Sequence, residues 1–239
     1  MDMRFVHISD VHVVSTENEC KEIYGVSTNP ALKLLKSANS IKKLNPNFVV
    51  VTGDIAAMAD KDYADRVLCW YLTFKEFFIR PLERSGIKVF VVPGNHDVNK
   101  AFGLDIYRML FGEENYQVDI DGIRLIFTTP KMRARKCKPS DQLINWLKST
   151  VKEGSLIFSH YPLSQWKRNE EVLEIFDGKV RGFFSGHLHK NSFTLGFGFP
   201  EVQTSALSGN WWNTWGDDGC IRIVRITNND ISSKLVKVV

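Results

Sequence analysis

Two short stretches near opposite ends of the chain set a histidine two residues from another metal-competent group. Asp10 and His12 lie in "SDVH", and His187 and His189 lie in "GHLH". In an extended segment, residues i and i+2 project to one side, so each pair can aim two donor atoms into one site. Between them stand Asp54 in "TGDIA", Asn95, His96 and Asp97 in "PGNHD", and His160 in "SHYP". Oxygen and imidazole donors without a thiolate suit Mn, Fe or Zn. Two aspartates, one asparagine and four or five histidines are too many for one tetrahedral ion. They suit two ions sharing a bridge.

The elements that position these residues are apolar strands. Segments 4–9, 47–53, 87–94, 155–160 and 180–187 read as strands, and each ends in one of the groups above. In open α/β sheets, ligands bind outside the carboxyl ends of the strands. Five of the six histidines fall at such ends. His7 sits mid-strand and is read as structural. Gly53, Gly94 and Gly186 adjoin the strand ends and let the backbone turn sharply there.

A helix is expected over 29–44, with Asn29 as N-cap and Pro30 in the first turn. A long helix over about 61–85 should bend near Pro81. Residues 116–129 read as a hairpin turning at Asp121-Gly122. Residues 140–154 read as a helix capped by Ser140 and stopped by Gly154. The last fifty residues alternate short strands with turns. Early β–helix–β order favours parallel pairing and the late part antiparallel hairpins, so two stacked mixed sheets flanked by helices are expected.

The chain of 239 residues fits one domain spanning 1–239. A net charge of +4, from 31 basic and 27 acidic residues, is too mild to argue for nucleic acid. The four cysteines are scattered without a CxxC, as in reduced thiols. The start, "MDMRFVHISD", reaches polar residues too soon for a signal peptide, and no apolar run approaches the ~20 residues that span a membrane. A cytoplasmic protein with no membrane partner is expected. Two stretches bear on substrate. "KMRARKCK" (131–138) holds five basic residues, a solvated loop or a rim on which Arg133 and Arg135 steer phosphates. "NWWNTWGDDG" (210–219) is a hydrophobic plug or an aromatic wall in which Trp211 and Trp212 stack on a nucleobase.

The ordered set "DVH" 10–12, "GD" 53–54, "GNHD" 94–97, "SH" 159–160 and "GHLH" 186–189 resembles the signature of the calcineurin-like metallophosphoesterase superfamily. The resemblance implies an α/β fold, a four-layer αββα sandwich of two mixed β-sheets flanked by helices. It implies two divalent or trivalent transition-metal ions (Mn, Fe or Zn). Asp10, His12 and His189 would hold the first, Asn95, His160 and His187 the second, and Asp54 would bridge them. His96 would be the catalytic histidine that holds no metal, and Asp97 its orienting partner. A metal-activated hydroxide would attack phosphorus while His96 protonates the leaving oxygen.

Departures narrow the chemistry. The serine/threonine protein phosphatases of the superfamily read GDxxDRG and GNHE, whereas this chain reads "GDIAAMADKD" and GNHD. The double-strand-break repair nucleases carry a histidine three residues after the bridging aspartate, where this chain has Ala57. Segments 24–56 and 140–149 are similar to those of compact cyclic-nucleotide phosphodiesterases. The expected activity is hydrolysis of a phosphodiester in a small phosphoester or nucleotide, with cyclic nucleotides as one candidate. Phosphomonoester hydrolysis and DNA cleavage are the alternatives, so nucleic acid is possible but not favoured. A non-catalytic scaffold is a third reading, against which the intact ligand set argues.

Overall fold

Strands with no polar alternation are buried on both faces, and that burial sets the layering. The structure, a computed structural model, describes residues 2–57, 63, 65–99, 101–133, 136–208, 219–228 and 230–237. The chain opens with β1 (Met3–Ile8), α1 (Glu17–Tyr24), α2 (Pro30–Leu44) and β2 (Phe48–Thr52). Next come α3 (Val67–Phe74), a π-helical turn over Lys75–Ile79, α4 (Arg80–Glu83) and β3 (Lys88–Val92). After α5 (Asp105–Phe111), the hairpin of β4 (Tyr116–Ile120) and β5 (Ile123–Phe127) leads to a smaller one, β6 (Lys131–Arg133) and β7 (Lys136–Lys138). Then follow α6 (Asp141–Thr150), β8 (Ser155–Phe158), α7 (Asn169–Phe176) and β9 (Val180–Ser185). Strands β10 (Ser192–Thr194), β11 (Glu201–Gln203), β12 (Cys220–Ile226) and β13 (Ile231–Lys237) end the chain.

Two mixed sheets result, as expected. One has the order β13-β12-β1-β2-β3, the other β10-β11-β9-β8-β5-β4. Strands β1, β2 and β3 are parallel, as are β5, β8, β9 and β11. The antiparallel pairings lie towards the sheet margins. Phe5, Phe48, Phe127, Phe158 and Phe184 fill the space between the sheets. Phe5 stacks on Phe48 with ring centroids 5.0 Å apart, and Phe158 on Phe184 at 5.0 Å. Alternate residues of the same strands, such as Val49 and Val51, face helices α2 and α3. On the far side, Ile157 and Phe183 face α6 and α7. The layers are therefore αββα.

Several local expectations are met and others are corrected. Asn29 caps α2 by accepting from the Leu32 amide, and Ser140 caps α6 through the Leu143 amide. Asp121 (φ 48°) and Gly122 (φ 80°) both adopt the left-handed conformation that a tight hairpin turn needs. The helix before β3 is disturbed ahead of Pro81, where the missing amide lets the backbone widen into the π turn. Helix α6 ends at Thr150, four residues before Gly154, which turns the chain into β8 instead. Within the 131–138 stretch, β6 and β7 pair as antiparallel strands, where a loop was one expectation. Helices α1, α5 and α7 were not expected. Thr16 and Glu19 do form a capping box for α1, but α5 and α7 start at Leu104 and Arg168 with no side-chain cap to signal them. Among the described residues no helix is long and apolar enough to cross a membrane.

Candidate metal centre

The carboxyl ends of β1, β2 and β3 in one sheet and of β8 and β9 in the other converge on one spot. Backbone bonds stitch their loops together. The amide of Asp10 donates to Gly53 O, that of His12 to Asp54 O, and that of Gly186 to His160 O. The approach is close enough to dictate glycine. A Cβ on Gly186 would lie 1.7 Å from Ser9 Oγ, and one on Gly94 2.2 Å from Asp54 Oδ1.

Asp10 (φ 52°), His12 (48°), Asp54 (49°), His187 (68°) and His189 (50°) all occupy the left-handed region. Such residues cost about 1–3 kcal/mol each and persist where surrounding structure holds them. Three side-chain hydroxyls do part of that holding. Ser208 Oγ donates to the carbonyl of Asp10, Tyr24 Oη to that of His12, and Ser205 Oγ to that of His189.

The side chains meet in two groups. Nε2 of His12 and of His189 are 3.2 Å apart, and Nε2 of His189 is 3.2 Å from Asp10 Oδ1. On the other side, Nε2 of His160 lies 3.2 Å from His187 Nδ1, 3.0 Å from Asn95 Oδ1 and 3.3 Å from Asp54 Oδ2. Asp54 Oδ2 is also 3.8 Å from His12 Nε2, so it stands between the groups. One oxygen of each aspartate is fixed by a backbone amide, Asp54 Oδ1 by His96 and Asp10 Oδ2 by His187, which leaves the other facing inward.

These donors fit metal ions. Asp10 Oδ1 is fully buried and accepts no hydrogen bond. Nδ1–H of His160 donates to Thr52 O, which turns Nε2 to the centre. Ligand atoms of Asp10, His12 and His189 cluster within 4.8 Å, as do those of Asp54, His160 and His187. Burial opposes ionisation of Asp10, but His12 and His189 hold its carboxyl well below the usual range. Asp54 is likewise held low against burial, mainly by the charges of His160 and His96. Burial opposes a charge on His160 too, yet Asp54 beside it pushes this imidazole up to about 9. Burial and the neighbouring His160 bring His187 down to about 4, and burial lowers His12. Two ionised, buried carboxylates thus make a place shaped for cations.

His96 closes the group, with Nε2 4.0 Å from Asp54 Oδ2 and its ring 4.9 Å from that of His12. That nitrogen also clusters with the ligand atoms of His12 and Asp54, so geometry alone leaves it a possible ligand. The orientation expected from Asp97 is corrected. Nδ1–H of His96 donates to the carbonyl of Ala57. The buried Asp97 carboxylate accepts instead from the amides of Ile55, Ala56 and Gly94 and from Tyr71 Oη. Three surrounding amides call for an acceptor at this position, and satisfying them turns the carboxylate to the backbone. Burial and then the charge of Asp54 push it up to about 6, against those amides.

Arg133 stands on β6, and its side chain is outside the described part. Arg135, Trp211 and Trp212 also lie outside the described residues. Tyr161 was missed although it directly follows His160. Its ring centre is 5.0 Å from both His160 and His187.

A family model described as calcineurin-like phosphoesterase matches residues 3–191. The chain belongs to that family. This calcineurin-like phosphoesterase is 24% identical over 203 residues to the DNA double-strand break repair protein Mre11 of Methanocaldococcus jannaschii, across 79% of its own length and 52% of the relative's. It thus spans about half the length of that curated relative. In fold it is similar to a dimetal phosphatase from Danio rerio (TM-score 0.68, 15% identity, 99% of this chain and 98% of that one). It also resembles an archaeal phosphodiesterase (TM-score 0.51, 13% identity, 98% and 100%). The calcineurin-like phosphoesterase family is metal-dependent, and membership supports hydrolysis of a phosphoric ester.

Proposed function

We propose that the protein is a dinuclear-metal phosphodiesterase. The observation that carries the reading is Asp54 Oδ2, set between a group built on Asp10, His12 and His189 and a group built on Asn95, His160 and His187. Asp10, His12, Asp54, Asn95, His160, His187 and His189 would hold the two ions, of Mn, Fe or Zn. When bound, such a pair supplies Lewis acidity and a nucleophile at neutral pH. The chain's own part is positioning and proton delivery. The Ala57 carbonyl engages Nδ1–H of His96, so Nε2 is the atom turned inward. As an imidazolium, His96 hands the Nε2 proton to the departing oxygen, help worth about 10²–10⁴-fold. Tyr161 walls the His160–His187 side and shields it from water.

The test is a titration. Metal-free protein should bind two equivalents of Mn²⁺ and gain hydrolysis of bis(p-nitrophenyl) phosphate in step with them. A chelator should abolish the activity. Full activity with one equivalent would overturn the dinuclear reading, and preference for p-nitrophenyl phosphate would make the protein a phosphomonoesterase. One observation favours a nuclease as second reading, the match to the Mre11 protein. The alanine at position 57 argues against it, and single-stranded DNA in the same assay separates the two.

A further inference from the structure

The segment that follows β11, residues 204–208, leaves the ladder and runs as a strap past the candidate metal centre. It touches the ligand loops of both sheets. The Thr204 amide donates to Ser185 O and the Leu207 amide to Ser9 O, each at 2.9 Å, and Ala206 forms a bridge with Ser9. Ser205 Oγ donates to the carbonyl of His189 at 2.9 Å, and Ser208 Oγ to that of Asp10 at 3.2 Å. Both of those ligand residues are left-handed, a conformation that persists only where neighbours hold it.

The strap is held in turn. Arg222 of β12, only 5% exposed, directs three hydrogen bonds to it and to the loop beside it. Nε donates to Thr204 Oγ1 at 3.1 Å, and Nη2 to Gln203 O at 2.9 Å and to Asn191 Oδ1 at 3.2 Å. Asn191 Oδ1 also accepts from the Ser205 amide at 3.0 Å, so one guanidinium fixes Gln203, Thr204 and, through Asn191, Ser205. A fourth bond, Nη1 to Ser233 Oγ at 2.9 Å, ties the guanidinium back to β13. A cation withdrawn from water keeps such bonds, because breaking one strands a buried charged donor. Its planar fork also fixes the directions of its partners.

The far end of the strap has its own anchor, since Lys33 of α2 donates from Nζ to Ser208 O at 3.1 Å. Loss of Arg222 would therefore free the Thr204–Ser205 end first, and the carbonyl of His189 with it. Arg222 also reaches the other half of the centre, through Thr204, His7 and Thr52, whose carbonyl accepts from His160. That path ends on β2, where Thr52 pairs with Val92 in the parallel ladder, so the sheet itself holds the acceptor of His160. The strap has a single bridge in place of a ladder.

We propose that Arg222 is a positioning residue for His189, and that it sets the affinity of the ion held by Asp10, His12 and His189 without serving as a ligand. The inference rests on the dinuclear reading above. It adds a residue from a strand beyond position 191, where the family match ends.

Wild type and variants would be titrated with Mn²⁺ by calorimetry. Arg222→Met keeps an aliphatic stem and removes the fork. It should weaken one of the two sites about 10–100-fold and leave the other unchanged. With 15N-labelled histidine and Zn²⁺, the ring signals of His189 should then respond later in the titration than those of His160. Ser233→Ala removes the bond that leads away from the strap and should leave both sites unchanged, which separates positioning from a general loss of packing. Asn191→Ala, at an exposed position, removes the acceptor that Arg222 and Ser205 share. It should weaken the same site about fivefold, as for one lost hydrogen bond, even where Arg222→Met fails to fold. Equal weakening of both sites would overturn the proposal, as would loss confined to the His160 side or a Ser233→Ala effect matching that of Arg222→Met. Affinities unmoved in Asn191→Ala and in a folded Arg222→Met would overturn it too. Wild-type binding of a single equivalent would instead overturn the dinuclear reading, and this inference with it.

Discussion

The carbonyl of Ala57 decides which nitrogen of His96 faces the cluster, and the neighbouring Asp97 holds the loop that carries that carbonyl. The two residues should therefore fail in different ways. His96→Asn should keep two bound ions while kcat on a diester falls about 10²–10⁴-fold. Loss of one ion from this variant would make His96 a ligand instead. Asp97→Ala strands the amides of Ile55, Ala56 and Gly94, and should lower stability by roughly 3 kcal/mol in urea unfolding. At this scale the residue types of the site were legible, because Asp, Asn and His at strand ends are chemically conspicuous. The partner of Asp97 was not. Whether the carboxylate faces an imidazole or amides depends largely on Ile55 and Ala56, more than forty residues away, and of its three amide donors only Gly94 lies within "GNHD".

At the level of elements, the strands that lead to the site were readable from unbroken apolar runs such as "NFVVVTG", but their order within each sheet was not. Helices α5 and α7 were not, since they lack caps and owe their place to packing on the sheets. The loops after β1 and β9 carry left-handed ligand residues, a conformation that Asp and His tolerate but do not announce. Ser208, Tyr24 and Ser205 brace three of them from other elements. Tyr24→Phe combined with Ser205→Ala should weaken one Mn²⁺ site about 10–100-fold by calorimetry and spare the other. Equal weakening of both sites would refute this bracing role. His7 shows a second kind of link, from the first sheet to Thr204 just past β11 of the other. Arg222 donates to Thr204 Oγ1, so that hydroxyl donates to His7 Nδ1, and His7 Nε2–H donates to Thr52. Burial and Arg222 push His7 down to about 3. The unfolded chain takes up a proton near pH 6.5 that the folded chain refuses. Stability from this residue is thus intact above that pH and lost as pH falls towards 3. His7→Asn should flatten the acid limb of a stability–pH curve by up to about 1.4 kcal/mol per pH unit. An unchanged slope would mean the imidazole is protonated in the folded state.

Across the whole molecule, the site belongs to neither sheet alone. Asp10, His12, Asp54 and Asn95 follow strands of one sheet, and His160, His187 and His189 follow strands of the other. Gly186 lets the two approach, and Gly186→Ala should prise them apart at Ser9 and Asp10. That variant should lose metal affinity while its far-ultraviolet circular dichroism stays that of the wild type. The seam also has a thermodynamic meaning. Ions bound there would act as rivets between two slabs otherwise held by an oily aromatic layer. A ligand that binds only the assembled state adds stability as its concentration climbs, about 2.7 kcal/mol at a hundred times its dissociation constant. The melting temperature of this protein then becomes a gauge of how many rivets are in place.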